Sequence, residues 1–379
     1  MCLREAWKIF FGRHGRERGE TMKNAKNMLS VSPGAPGMKA ARMQRLTLMA
    51  ALCLSVPICL VLGCARPRPG SEDRQLVVCT SEREELMDAV IPLFEEKYGI
   101  QVSLIQGENG ELLEQVRQGE LQADVVMGLS LSDISDSQQL FQEYVSVNDK
   151  YLLESYQNTD GYATSYVLNG SCLIVNQTLA GEYAISGYRD LLNPELKGKI
   201  TMADPSSSST GFAQLVNILE AGGGWEKEEA WKLAAGLIGQ TRGYASDSRQ
   251  VYSSVAKGEY VAGLSYEGAG VSLMREGADV AIVYPEEGTL YSPRAAAIVT
   301  TAAHPEYAKH FVDFITGKDM QDIFGTLLSG RPVRQDAKIS PYLEDLEDIH
   351  VIVRDEEYLK THKKLIWQKY MDMAKEEGW

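Results

Sequence analysis

From residue 75 onward, short apolar runs alternate with segments in which apolar residues recur every three or four positions. The run 76–79 predicts a β-strand, and the segment after it predicts an amphipathic helix. The apolar face of that helix carries Leu86, Val90, Leu93, Phe94 and Tyr98. A second strand over 100–105, a second helix over 111–118 and a third strand over 123–127 follow. Because these strands are apolar at nearly every position, we expect a parallel sheet with helices on both faces.

The alternation continues through the rest of the chain. Further strands are predicted over 166–168, 172–175, 199–202, 260–265, 280–284 and 295–300, the first two flanking Asn169-Gly170. Helices are predicted from about residue 212, over 225–238, before 276, from Pro305, from 319 and over 356–377. Strand–helix–strand units of this kind connect with right-handed crossovers. The predicted fold class is therefore α/β.

Charge is distributed unevenly along the chain. Residues 1–63 contain 10 Lys and Arg against 3 Asp and Glu, whereas the whole chain has 38 against 52 and a net charge of −14. Residues 64–379 therefore carry a net charge of −21. The acidity of residues 64–379 excludes a nucleic-acid-binding protein, because binding to a phosphate backbone requires a positively charged surface. Six cysteines without a CxxC pair also exclude a zinc ribbon and a thioredoxin-type site.

Residues 38–63 have the pattern of a lipoprotein signal peptide. Arg42 and Arg45 form a charged region ahead of the 17 uncharged residues 46–62. Such a run is at the lower limit for spanning a bilayer, and Pro57 interrupts it, so a permanent transmembrane helix is the weaker interpretation. A plain signal anchor is the alternative.

Gly63 precedes Cys64 as a small residue precedes a lipidated cysteine. We therefore expect lipidation of Cys64, a polar tether over 64–74 and attachment to the extracytoplasmic face of the membrane in the cell envelope. Residues 1–37 lack an apolar segment and stand before a complete signal peptide. They are predicted to be a spurious N-terminal extension.

Hydroxyl, amide and backbone N–H groups collect where the predicted strands end. Open α/β sheets bind ligands outside the carboxyl ends of their strands, and a helix N-terminus offers unpaired N–H donors and a partial positive charge to an anion. We therefore predict one cleft for a small anion. Its candidate residues are Ser81, Asn109, Gly110, Ser130, Ser206, Ser207, Ser208, Ser209 and Thr210. A plain helix N-cap is the alternative for each of them alone.

Enzyme and metal signatures are weak. The segment 263–268 lacks the spacing of a GxSxG nucleophile elbow, and neither a GxxxxGKS/T loop nor a GxGxxG loop after a strand occurs. The histidines after the leader have no metal-ligand spacing; they are His304, His310, His350 and His362. The sequence therefore predicts no catalytic residue, no metal site and no cofactor.

Six short motifs between Leu76 and Tyr370 belong together. They are LVVCTS at 76–81, GELL at 110–113, ADVV at 123–126, ADPSSS at 203–208, the segment 258–267 and RPVR at 331–334. On these motifs the chain resembles the bacterial ABC-importer substrate-binding proteins that take up ferric ions, thiamine, phosphonates and sugar phosphates. The resemblance implies a non-enzymatic, monomeric solute-binding protein that delivers its ligand to an ABC permease in the membrane.

The resemblance also implies a two-lobed clamshell of the type 2 periplasmic-binding-protein fold. Lobe one is expected over 75–166 and 293–379, and lobe two over 167–292. Two crossover strands, near 166–175 and 285–297, would join the lobes. A ligand between the lobes would favour the closed state by the difference in its affinity for the two states.

The leading ligand class is a small organophosphonate or phosphate ester, for which Arg249 would be a bidentate partner. Tyr266 and Glu267 offer hard oxygen ligands, so ferric iron is an alternative, and the same pair could form a wall for the thiamine cation. A thiaminase-like enzyme on the same fold would need a nucleophile, for which Cys79 is the candidate. A solute sensor that signals to a membrane receptor is a third class.

Overall fold

The computed structural model describes residues 74–181, 183–353 and 356–377. The predicted N-terminal extension, the signal peptide, Cys64 and nearly all of the tether lie outside these residues. None of the helices that the structure describes is both long enough and apolar enough to cross a membrane.

The first strand–helix units form as the hydrophobic periodicity predicts. Strands β1 (Gln75–Thr80), β2 (Gln101–Gln106) and β3 (Val125–Leu129) are parallel neighbours in the order β2-β1-β3. Helix α1 (Glu84–Tyr98) follows β1, and helix α2 (Asn109–Gln118) follows β2. The alternating pattern is therefore a reliable guide to this part of the fold.

The remaining elements follow in chain order. Helices α3 to α6 span Leu131–Asp136, Gln177–Ala180, Ser209–Ala221 and Glu228–Gln240. Helices α7 to α11 span Ser248–Ala256, Glu267–Arg275, Pro305–Ile315, Lys318–Thr326 and Glu356–Glu377. Strands β4 to β9 span Thr164–Asn176, Ile200–Thr201, Ala262–Tyr266, Val280–Val283, Tyr291–Ile298 and Arg331–Pro332. Short 3-10 helices span Gln138–Leu140, Asp149–Tyr151, Glu154–Tyr156, Asp190–Leu192, Pro194–Leu196 and Leu346–Asp348.

The long strand β4 passes from one sheet to another. Its first part pairs antiparallel with β8 and β9, and its second part pairs antiparallel with β6 and β7. The predicted runs 166–168 and 172–175 are therefore parts of one continuous strand, which agrees with the crossover expected near 166–175, and the backbone stays extended while its partners change. A Cβ at Gly170 would come within 2.5 Å of the Tyr291 ring, so this glycine permits close packing of β4 on β8.

Strand β8 makes the first sheet mixed rather than parallel. It lies between β3 and β4 and runs antiparallel to both. The first sheet comprises β2, β1, β3, β8, β9 and the start of β4. The second comprises β5, β6, β7 and the end of β4, and β4 connects the two. The opening strands are parallel as predicted, but β8 comes from a part of the chain beyond the second sheet and enters in the opposite direction.

Each sheet has its own apolar core. A cluster around Val126 and Ala297 covers the first sheet, and a cluster around Leu237 and Leu264 covers the second. The buried side of α11 belongs to the second cluster and carries Ile366, Tyr370 and Ala374. The sequence-based lobe boundaries place α11 in lobe one with residues 293–379, whereas its apolar packing is with the second sheet.

Candidate functional site

A cavity of about 600 Å³ is lined by residues from both sheets. Several of the residues predicted from the sequence lie on its wall. They are Ser81, Asn109, Gly110, Ser130, Ser209, Thr210 and Tyr266. Asn169 and Ser171 of β4 and Ser292 of β8 add polar groups near the point where β4 passes from one sheet to the other. The polar groups at several separate strand ends therefore face one common cavity.

The other predicted residues do not line the cavity. Ser206 and Ser207 are exposed in the loop before α5. Ser208 is the N-cap of α5, and its Oγ accepts a hydrogen bond of 3.1 Å from Gly211 N. Arg249 is an exposed residue near the start of α7. The Ser-rich run therefore reaches the cavity only through the first turn of α5, because its earlier residues form the loop and the cap.

Arg294 on β8 brings a positive charge to the cavity wall that the sequence-based prediction missed. Its Nε donates to Glu82 Oε1 at 2.8 Å, and its Nη2 donates to Ser81 Oγ at 3.2 Å. Burial disfavours the charged guanidinium, but the Glu82 carboxylate outweighs this effect and raises the pKa of Arg294 above its ordinary value. The side chain is 32% exposed, so the cavity holds a permanent and accessible cation.

Buried neighbours hold the guanidinium of Arg294 in place. Tyr166 is fully buried and donates its hydroxyl hydrogen to the Glu82 oxygen that accepts from Arg294. Gly128 adopts a φ of 93°, and a Cβ there would come within 2.9 Å of Ser81 Oγ and 3.3 Å of Arg294 Nη2. A glycine at this position is therefore required for Ser81 and Arg294 to meet at the wall.

One sequence signal identifies Arg294 in retrospect. This residue stands directly before the apolar run 295–299, within an expected crossover strand. A charged residue in such a strand is seldom buried without a partner or a function. Its partner Glu82 lies 212 positions earlier in the chain, so no local spacing connects the two.

The other charges on the wall have both signs. Lys363 of α11 adds a second cation, and Glu108 and Asp133 add carboxylates. Asp133 takes part in a capping box, in which its carboxylate accepts from Ser130 N at 3.0 Å and Ser130 Oγ accepts from Asp133 N at 3.1 Å. Ser130 therefore lines the cavity and caps α3 at the same time.

A family model described as bacterial extracellular solute-binding protein matches residues 76–326. The chain belongs to this family. It is an extracytoplasmic solute-binding protein, as the six sequence motifs predict.

Three similar proteins place this solute-binding protein among known ones. An uncharacterized protein of Haemophilus influenzae is 26% identical over 276 residues, which cover 70% of this chain and 79% of that protein. Iron uptake protein A1 of Synechocystis is 24% identical over 271 residues, covering 67% and 74%. The periplasmic binding protein AfuA from Actinobacillus pleuropneumoniae, solved with fructose-6-phosphate, has a TM-score of 0.68 at 24% identity, covering 79% and 98%. The predicted α/β clamshell of the type 2 periplasmic-binding-protein fold is confirmed.

Tyr266 is poorly suited to ferric iron in this solute-binding protein. Burial raises the pKa of its phenol, which disfavours the phenolate that a ferric ion would bind. Within the described ranges, no three His, Cys, Asp or Glu side chains converge on a common point where a metal ion could sit. The hydroxyl of Tyr266 is therefore better described as a neutral hydrogen-bonding group on the wall.

Cys79 lacks the properties of a nucleophile. Its side chain is fully buried, and burial together with the charge of Asp124 raises the pKa of its thiol to about 12. Burial also raises the pKa of Cys172, which is equally inaccessible. A catalytic cysteine requires an accessible thiolate. The structure therefore gives no support to the thiaminase-like alternative.

Glu267 lies in a buried ion pair rather than on the cavity wall. Its Oε2 accepts from Arg331 Nε at 3.1 Å and from Nη2 at 3.0 Å. Tyr284 and Tyr291 donate their hydroxyl hydrogens to the same oxygen at 3.0 and 3.2 Å. The Glu267 and Arg331 side chains are 1% and 2% exposed. The pair joins α8 to β9, and therefore links elements of the two sheets.

Proposed function

We propose that this solute-binding protein captures a small phosphate ester or organophosphonate between two lobes and delivers it to an ABC permease. Arg294 carries the proposal, because Glu82 fixes its permanent cation at the wall of a partly desolvated cavity. The proposed lobes are those expected from the sequence, except that α11 joins lobe two because of its packing.

Uncharged donors support capture of an oxyanion beside Arg294. Ser209 and Thr210 are the first two residues of α5, so their N–H groups have no partner within the helix. The hydroxyls of Ser81 and Thr210 belong to wall residues. A guanidinium, hydroxyls and helix N–H groups together suit a phosphate or phosphonate group. Such a local site lets a chain of net negative charge hold a small anion.

Ferric iron is the second candidate ligand. One similar protein is an iron uptake protein, and Tyr266, Glu108 and Asp133 bring oxygen atoms to the wall. The raised pKa of Tyr266 and the capping role of Asp133 weigh against it. The thiamine alternative depended on Tyr266 together with Glu267, and Glu267 lies in the buried pair instead.

We further propose that the chain is a monomeric lipoprotein of the cell envelope. The signal-peptide pattern of 38–63 and the Gly63-Cys64 pair support this proposal. Lipid attached to Cys64 would hold the protein at the extracytoplasmic face, with 64–74 as the tether. Incorporation of labelled palmitate that persists in Cys64→Ser would contradict the proposal.

A thermal-shift screen tests the ligand class. Fructose 6-phosphate, 2-aminoethylphosphonate, Fe(III)-citrate and thiamine are added separately to the purified protein. At about 100 times its dissociation constant, a ligand specific for the folded state contributes about 2.7 kcal/mol, which raises the midpoint by roughly 5 °C in a chain of this size. We expect a phosphate ester or phosphonate to produce this shift. A shift with Fe(III)-citrate alone would support the second candidate and contradict the proposal.

Substitutions of two residues at the N-terminus of α5 are expected to have separate effects on ligand affinity and on stability. Thr210→Val removes a wall hydroxyl while keeping the side-chain shape, so affinity for the bound anion should fall about 2- to 10-fold, as expected for one hydrogen bond. Ser208→Ala removes the N-cap, so the free energy of unfolding should fall by about 1 kcal/mol while affinity is kept. Calorimetry and thermal melting measure the two effects. If Thr210→Val lowered the stability and Ser208→Ala lowered the affinity, the placement of Thr210 on the wall and of Ser208 as the N-cap would be contradicted.

A further inference from the structure

Helix α11 forms part of the cavity wall, although it lies beyond residues 76–326, the span of the family match. Its buried side carries Ile366, Tyr370 and Ala374, which recur every four positions and are at most 9% exposed. These side chains pack into the core of the second sheet. A regular stripe of apolar contacts therefore fixes α11 on the body of the protein.

Lys363 stands at the end of the same stripe, three positions before Ile366. Successive residues of a helix are rotated by about 100° around its axis. Lys363 therefore lies on the side of α11 that packs on the protein, whereas Lys364 is rotated by about 100° from that position, toward solvent. The stripe reaches the cavity at this point, so Lys363 is exposed and yet lines the wall. Its Nζ lies 5.9 Å from the ring centroid of Phe212, another wall residue.

Polar contacts tie α11 to the segment that presents the N-terminus of α5. The Tyr370 hydroxyl lies 2.8 Å from the Tyr244 hydroxyl and 3.3 Å from Asp204 Oδ1. Asp204 Oδ1 in turn accepts from Ser206 N at 2.8 Å in the loop before α5. Helix α11 also lies against α3, which borders the cavity from the first sheet. The helix therefore contacts elements of both sheets beside the cavity.

The charge of Lys363 is available to a ligand. No ion pair among the described residues includes this side chain. A phosphate monoester carries about 1.5 to 2 negative charges at pH 7. Arg294 shares its charge with Glu82, and the carboxylates of Glu108 and Asp133 also lie on the wall. A doubly charged group therefore needs the further cation that Lys363 supplies.

We propose that Lys363 contacts the ligand and that, with Arg294, it selects small solutes whose acidic group is doubly charged. This inference rests on the proposed function. Arg294 belongs to β8 of the first sheet, whereas Lys363 is carried by a helix packed on the second sheet. A doubly charged group attracts both cations and so favours the closed arrangement, and a singly charged group gains less from closure.

The test is calorimetry on the full chain with fructose 6-phosphate and its singly charged analogue, fructose 6-sulfate. We expect Lys363→Gln to weaken binding of the phosphate about 5- to 20-fold, as for a partly screened hydrogen bond to a charged group. The substitution should also reduce the ratio of the affinity for fructose 6-phosphate to the affinity for fructose 6-sulfate. Lys364→Gln is the matched control, because it removes the same charge from the adjacent, outward position and should change affinity less than about twofold. Lys363→Arg should keep most of the affinity.

Several results would overturn the inference. The inference is wrong if Lys363→Gln binds fructose 6-phosphate as tightly as the unmodified chain does. It is also wrong if Lys364→Gln loses as much affinity as Lys363→Gln. In both cases the proposed function would stand if Arg294 variants lost binding. If the unmodified chain bound none of fructose 6-phosphate, 2-aminoethylphosphonate and inorganic phosphate, the proposed function would fail and the inference with it. Because Lys363 and Lys364 are exposed, their variants should melt at the same midpoint as the unmodified chain without ligand.

Discussion

Replacing both Glu82 and Arg294 by glutamine is expected to abolish most of the affinity for a phosphate-bearing ligand. The loss of a fixed, partly buried cation that hydrogen-bonds an anion costs about 2–4 kcal/mol, which corresponds to a roughly 30- to 1,000-fold weaker affinity. The double variant is preferable to Arg294→Gln alone. The single change would leave the Glu82 carboxylate, which is 9% exposed, without its counter-charge. Its repulsion of the anionic ligand would then add to the lost attraction. Isothermal calorimetry measures the difference.

Arg249→Gln is the informative comparison for this experiment. Arg249 is the arginine that the sequence favours, and in the structure it is an exposed residue on α7 that does not line the cavity. Its replacement should leave affinity nearly unchanged. A large loss in Arg249→Gln with normal binding in the Glu82/Arg294 double variant would show that the structure-based assignment is mistaken. Thermal melting without ligand would confirm that both proteins are folded.

Glu267→Gln is expected to produce the largest loss of stability among the substitutions considered. The change keeps the side-chain shape but leaves the buried Arg331 guanidinium without a counter-charge. Breaking a buried pair in this way costs about 3–5 kcal/mol, so the melting midpoint should fall by roughly 5–10 °C. Replacing Arg331 by methionine in the same chain should recover part of the loss, because it removes the uncompensated charge.

An exposed ion pair supplies the control for Glu267. Glu306 and Lys309 pair on the surface of α9, and the Glu306 side chain is 73% exposed. Glu306→Gln should leave the midpoint nearly unchanged, because water screens such pairs. If Glu267→Gln kept the midpoint but lost ligand binding, Glu267 would be a ligand residue, as the sequence alone suggests. A lower midpoint with normal affinity would establish its structural role.

Local chemistry explains why much of the fold is predictable. The apolar spacing of Leu86, Val90 and Phe94 predicts a helix buried on one side, and these residues are buried in α1. Gly99 ends that helix at a φ of 66°, where a glycine avoids a side-chain clash. Pro305 opens α9 because its missing N–H would be unpaired there in any case. Each signal lies within a few residues of the structure that it predicts.

The residues of the candidate site also differ in how far the sequence predicts them. Ser81, Asn109 and Thr210 are found from the sequence because strand ends and helix starts have local signatures, and parallel strands bring their carboxyl ends to one edge. The Ser-rich run 206–210 is only partly at the wall, because the cap formed by Ser208 turns the earlier serines into the loop. The sequence therefore predicts that the run follows a strand end, but it does not predict which of its serines reach the cavity wall.

The sequence by itself determines the alternating elements, the family and the strand-end position of the cavity, because each depends on neighbours in the chain. Only the tertiary structure decides which charges meet. Arg294 pairs with Glu82, which lies 212 positions away in the chain, and Arg331 pairs with Glu267, which lies 64 positions away. Lys363 reaches the cavity because α11 packs on the second sheet. The packing of the apolar core brings these residues together, and no local spacing in the sequence indicates which partner Arg294 or Arg331 will have.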